Sequence, residues 1–228
     1  MSETESEAPT SEAVADAPQG QFRTPEALAQ SALDLALLQL PAYVSAVVER
    51  LTRAITSGGR EGAPRDELVA EGLERLFRID PDDRNRLAII RGTYGRWLTK
   101  LPMLKQDITL DSLAREAELR AEGLHGDGAY HLPAPPPLPA ETQATSEDEA
   151  PAEDPATRPG IHILPLRFTE LDTRTRLTVL FHEMGRFYFN LEVFDPRPVR
   201  DPMLVITRCG VAYSWFAAQL CVGRRRPM

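Results

Sequence analysis

His182 and Glu183 stand side by side in an apolar-periodic stretch, the dipeptide that opens the zinc motif whose second histidine follows one helical turn later, with the glutamate activating a water. Position 186, where that ligand would stand, is arginine, so no metal site closes. On the expected helix both residues fall off the apolar stripe, in solvated or hydrogen-bonded surface positions. Cys209 lies beside Arg208, which favours a thiolate, but its apolar neighbours favour the neutral thiol. It and Cys221 lack a CxxC spacing and read as buried, reduced residues. Asp80, Asp82 and Asp83 sit where helix capping uses carboxylates. His125, His131 and His162 are scattered without a shared motif, and no GxxxxGK[ST], GxGxxG or GxSxG pattern occurs. No catalytic, cofactor-binding or metal-ligating residue is assigned.

The elements that would have to position such residues divide at a proline-rich, acidic stretch. Residues 126–160 hold eight of the chain's 20 prolines and seven acids against Arg158 alone. Such a composition can neither form a ladder nor bury a core, so residues 124–159 read as a linker. The first 22 residues, with five acids, read as a disordered tail. The expected fold is a mainly α helical module (23–123) joined by this linker to a small α+β module (160–228).

In the first module, Thr24-Pro25 begins a helix whose continuation over residues 35–41 fits helix or strand equally. Pro41 leads a helix with Val44, Val47, Val48, Leu51 and Ile55 on one face. Further helices follow after Pro64, after residues 80–83, and over residues 110–123, where Glu116 and Arg120 form an i,i+4 pair. In the second module, alternation predicts strands at 161–168, 189–194 and 203–207, a helix at 172–188, and a closing helix or strand at 211–222.

LQLPAYVSAVVERLTRAI and the following PRDELVAEGLERLF resemble the ribbon-helix-helix DNA-binding proteins over residues 35–79. The resemblance implies a homodimer pairing short strands into a ribbon for the major groove, with Leu35, Leu37 and Gln39 facing bases and the backbone near Arg65 facing phosphate. Of those three outward residues only Gln39 carries base-reading groups, and residues 23–123 have a net charge of −1.

The chain's formal charge of −8 belongs to the tail and linker, since residues 160–228 carry ten basic and six acidic side chains. Arg224, Arg225 and Arg226 form its densest positive run, a contact for an anionic partner. Residues 203–222 are interrupted by Arg208, against a membrane span, and the acidic start lacks a signal-peptide pattern; a cytoplasmic location is expected. The leading expectation is a non-enzymatic regulatory or scaffold protein binding protein partners, without cofactor or membrane. A dimeric DNA-binding regulator is second, and an enzyme without a recognisable motif third.

Overall fold

The computed structural model describes residues 24–57, 65–123, 128–133 and 157–221. The chain is mainly helical with one three-stranded sheet. Helix α1 (Pro25–Ser57) runs 33 residues, and residues 35–41 are helical within it. Thr24 begins it by accepting from the Ala27 amide. Buried Ala29, Leu33, Ala36, Leu40, Val44, Val47 and Leu51 recur at three- and four-residue spacing, which decides the ambiguity over 35–41 for the helix. By length and composition α1 could cross a membrane, with a mean hydropathy of 1.5 in its most apolar window. That apolarity is explained on one side by packing against α3, α5, α6 and α8, introduced below.

Helix α2 (Glu67–Gly72) is capped by Asp66, whose carboxylate accepts from Val69 N, and continues as a π-helical turn, Leu73–Phe77, ending at Arg78 in the left-handed conformation. Helix α3 (Arg84–Leu104) starts at Asp83, which accepts from the Arg86 amide. Strand β1 (Ile108–Leu110) precedes α4 (Leu113–Ala121), capped by Ser112. Strand β2 (Ala129–Leu132) lies inside the stretch read as linker. Gly128, at φ +98°, admits it: a Cβ there would lie 2.9 Å from the Leu171 side chain. Strand β3 (Gly160–Ile163) is central, parallel to β1 and antiparallel to β2.

Three strand expectations change. Residues 161–168 divide into β3 and a short helix, α5 (Pro165–Glu170), because Pro165 suits the first helical turn. Residues 189–194 are not a strand: Phe189 ends α6 (Thr173–Phe189), Asn190 caps it in the left-handed conformation, and Glu192 makes one isolated parallel bridge to Cys209. Residues 203–207 lie in α7 (Pro202–Arg208), where Asp201 accepts from Met203 N and Pro202 sits at the helix start, overriding the β-branched composition of MLVIT. The closing element is α8 (Gly210–Cys221).

The stretches on either side of the proline-rich segment meet in one core. Tyr94 and Trp97 of α3 pack on Phe181 of α6 and Tyr213 of α8, with ring centroids 4.2 to 5.5 Å apart. Tyr94 Oη donates to the Tyr213 carbonyl at 2.6 Å. Phe77 of the π turn contacts Tyr213 and Phe216 edge-on. Gly72 is what lets α8 approach: an added Cβ would lie 2.6 Å from the fully buried Phe216 ring. Gly72→Ala is therefore expected to lower stability by about 1–3 kcal/mol through overpacking, read as a lower urea midpoint with unchanged m-value.

Candidate functional site

Arg50 of α1 fixes the ground on which the site stands. Its guanidinium donates to both Asp66 oxygens at 2.8 Å and to the Leu220 carbonyl at 2.6 Å, tying α1, the start of α2 and the end of α8. Burial would raise the Asp66 pKa, but the bonds from Arg50 and the Val69 amide outweigh it and hold the carboxyl below its usual range. Gln219 adds a second tie, donating to the Leu68 carbonyl at 3.2 Å and accepting from Arg75 at 2.6 Å.

Between α2 with its π turn, α6 and α8 these ties frame a concavity of about 600 Å³. Arg75, Arg174 and Arg197 line it with Glu71, and Trp215, 41 % exposed, forms part of its wall. Arg197 lies over the indole face, its guanidinium carbon 5.6 Å from the ring centroid, and pairs with Asp195 at 2.7 Å. Arg78 donates to the Arg197 carbonyl, and Arg174 to the Ala218 carbonyl at 3.2 Å. The groove thus presents three guanidiniums around an accessible aromatic surface, with Asp195 held by Arg197 and Glu71 3.8 Å from Arg75. That chemistry suits carboxylates attached to a partly apolar chain.

Beyond Trp215 lies a second cleft of about 380 Å³, lined by Tyr130, Thr178, His182, Glu183, Arg186 and Ser214 among others. It brings the His-Glu pair singled out in the sequence beside Arg186 and Ser214. Ser214 Oγ donates to the Gly210 carbonyl at 2.9 Å and stands 3.3 Å from His182 Nδ1. With its hydroxyl donating to the backbone, Ser214 turns an oxygen lone pair towards the imidazole nitrogen. Glu183 is buried, contrary to the surface position expected for it, and pairs with His131 Nδ1 at 3.1 Å and Arg186 at 3.4 Å. Burial and then Arg186 lower the His131 pKa, favouring the neutral ring as donor.

A fully enclosed polar group lies on the central strand of the sheet. His162 of β3 is fully buried; its Nδ1 donates to Asp111 at 2.8 Å and its Nε2 to the Arg158 carbonyl at 2.8 Å. Tyr130 Oη donates to the other Asp111 oxygen at 2.8 Å, and its ring stacks on the imidazole. A carboxylate faces one ring nitrogen and a carbonyl the other, an arrangement that favours the imidazolium. Burial opposes that charge, but the bonds to Asp111 and Arg158 outweigh it and raise the pKa. Glu116 is likewise fully buried: besides the expected pair with Arg120 at 2.8 Å, it accepts from the Leu166 and Arg167 amides at the start of α5. Both clusters are structural ties.

The remaining sequence candidates are dispersed. Gln39 is half-buried on α1, and Arg65 is exposed just ahead of α2. Arg224, Arg225 and Arg226 lie outside the described residues, as does His125. Of the three carboxylates expected at a helix start, Asp83 is the N-cap of α3, while Asp80 accepts from the Asp82 amide in the turn before it. Cys209 is buried, and burial pushes its thiol pKa up; Cys221, expected to be buried, is exposed at the end of α8, its thiol donating to the Tyr43 carbonyl and pushed up to about 11 by local desolvation. Among the described residues no group of three or more His, Cys, Asp or Glu is arranged to hold a metal ion. Comparison with protein-family models, curated proteins and solved structures finds no match to this chain.

The His162 pair makes a signed pH prediction. Because its folded pKa is raised, its stabilisation is complete below the unfolded value of about 6.5 and is lost as pH rises through the folded value. His162→Asn should cost about 3–5 kcal/mol at pH 5.5, and the gap from wild type should narrow towards pH 9, measured by urea denaturation at each pH.

Proposed function

We propose that the protein is a non-enzymatic regulatory or scaffold protein that holds an acidic segment of a partner protein in the arginine-lined groove beside Trp215. The observation that carries this reading is the placement of Arg75, Arg174 and Arg197 around an exposed indole in a concavity of about 600 Å³. Guanidiniums bind carboxylates in a bidentate manner, and tryptophan with arginine supplies much of the energy at the centres of protein interfaces. The groove is open and three of its five polar side chains are cationic donors, which suits an extended chain bearing Asp or Glu between apolar residues. Chemistry is not needed in this reading, since Ser214 and His182 are engaged with backbone and with each other.

The chain has two tryptophans, of which Trp97 is buried in the core, so a ligand in the groove reports through Trp215. Titrating the full chain with a tryptophan-free peptide of alternating Glu, Leu and Pro should give a saturable fluorescence change. Its Kd should fall in the range of about 1–100 µM and weaken as salt rises. The combined Arg75→Glu and Arg197→Glu variant should bind at least about tenfold more weakly. An unresponsive Trp215, or preferential binding of duplex DNA in the same assay, would overturn the reading, the second in favour of nucleic acid.

A further inference from the structure

Helix α1 is apolar on two opposite faces, and the core uses one. At 100° per residue, the face opposite buried Leu33, Leu40, Val44 and Leu51 carries Leu28, Leu35, Leu38, Ala42 and Ala46, with Ser31 and Ser45 between them. Leu38 is 76 % exposed, Leu28 46 % and Leu35 44 %. This stripe holds no charged side chain from Leu28 to Ala46, a length of about 27 Å at 1.5 Å per residue. Its first charges are Glu49 and Arg53, both exposed.

We infer that this face is a homodimer contact, in which α1 packs antiparallel on α1 of a second copy. The stripe is self-complementary in that orientation. Setting Leu35 opposite Leu38 places both leucine pairs at the two-fold axis, Ser31 opposite Ala42, and Leu28 opposite Ser45, so each outlying large residue meets a small one. The same register brings Glu49 to Thr24 of the second copy, at the positive end of the α1 dipole, which attracts a carboxylate, and this occurs at both ends. A lipid surface is a poorer occupant, because interfacial helices flank their apolar face with Lys and Arg, whereas Asp34 and Gln39 border this one. One helical face of this length is at the small end of specific interfaces, so the dimer is concentration-dependent rather than obligate. The contact is separate from the groove and does not rest on what the groove binds.

Sedimentation equilibrium of the full chain from about 1 to 100 µM should show a monomer–dimer transition. Leu38→Glu should shift its midpoint upward at least about tenfold while leaving far-UV circular dichroism, and the thermal midpoint at about 1 µM where the monomer prevails, unchanged, since Leu38 touches no core. Leu28→Glu should weaken the dimer, and adding Ser45→Arg to that variant should restore most of the loss, as only the antiparallel register brings the two positions together. A monomer at 100 µM, a midpoint indifferent to Leu38→Glu, or a failure of Ser45→Arg to restore Leu28→Glu would each overturn the proposal.

Discussion

The packing of Tyr94 and Trp97 against Phe181 and Tyr213 is the constraint on which the rest of the structure depends. Those four rings come from three helices separated by more than 80 residues of chain between Trp97 and Phe181, with the proline-rich segment between. Aromatic rings bury large apolar areas in fixed geometries, so a cluster of this kind sets the spacing of α3, α6 and α8 closely. The bond from Tyr94 Oη to the Tyr213 carbonyl adds direction, because a phenol buried there without a partner would cost about 1–3 kcal/mol. Phe77 and Phe216 extend the cluster to the π turn, and Gly72 removes the one side chain that would keep α8 away.

Once the helices are set, polar ties complete the fold in places where apolar packing has no directional preference. Asp111 and His162 lock the parallel pairing of β1 with β3 across 51 residues of sequence. Glu116 supplies the amides of α5 with acceptors that the chain preceding that helix does not provide. Arg50 ties α1 to α2 and to the last turn of α8. The groove follows from these ties. Its wall from residues 68–76 and its wall from residues 174–219 are both needed, and Gln219 bridges them through Leu68 and Arg75. The arginines around Trp215 are therefore a product of the shared core rather than of any local motif.

Much of the helical content was legible because capping and periodicity agree with packing. Asp83 and Asp172 start their helices as their positions suggest, and the apolar face of α6 is the one that reaches the core. Where local signals disagreed, tertiary burial and capping decided. MLVIT has strand composition, yet Asp201-Pro202 starts a helix and Val205 and Ile206 bury in helical phase. Strand β2 was not legible because a four-residue strand between Gly128 and Pro133 has little signal of its own; it exists because β3 offers an edge to pair with. The groove was not legible, since Arg75, Arg174, Arg197 and Trp215 share no spacing. His162 was not legible either, because its partner Asp111 is assembled by sheet topology rather than by sequence proximity.

The account turns on residues before and after the proline-rich segment forming one core. A protease site inserted between residues 145 and 146 of the full chain, cleaved to completion and followed by size-exclusion chromatography with light scattering and urea unfolding, tests this directly. The account predicts that the two fragments stay together at the mass of the intact chain and lose near-UV aromatic signal and far-UV helical signal in one coincident transition. Fragments that separate, each retaining its own helical signal and unfolding independently, would contradict it and dissolve the groove along with the shared core.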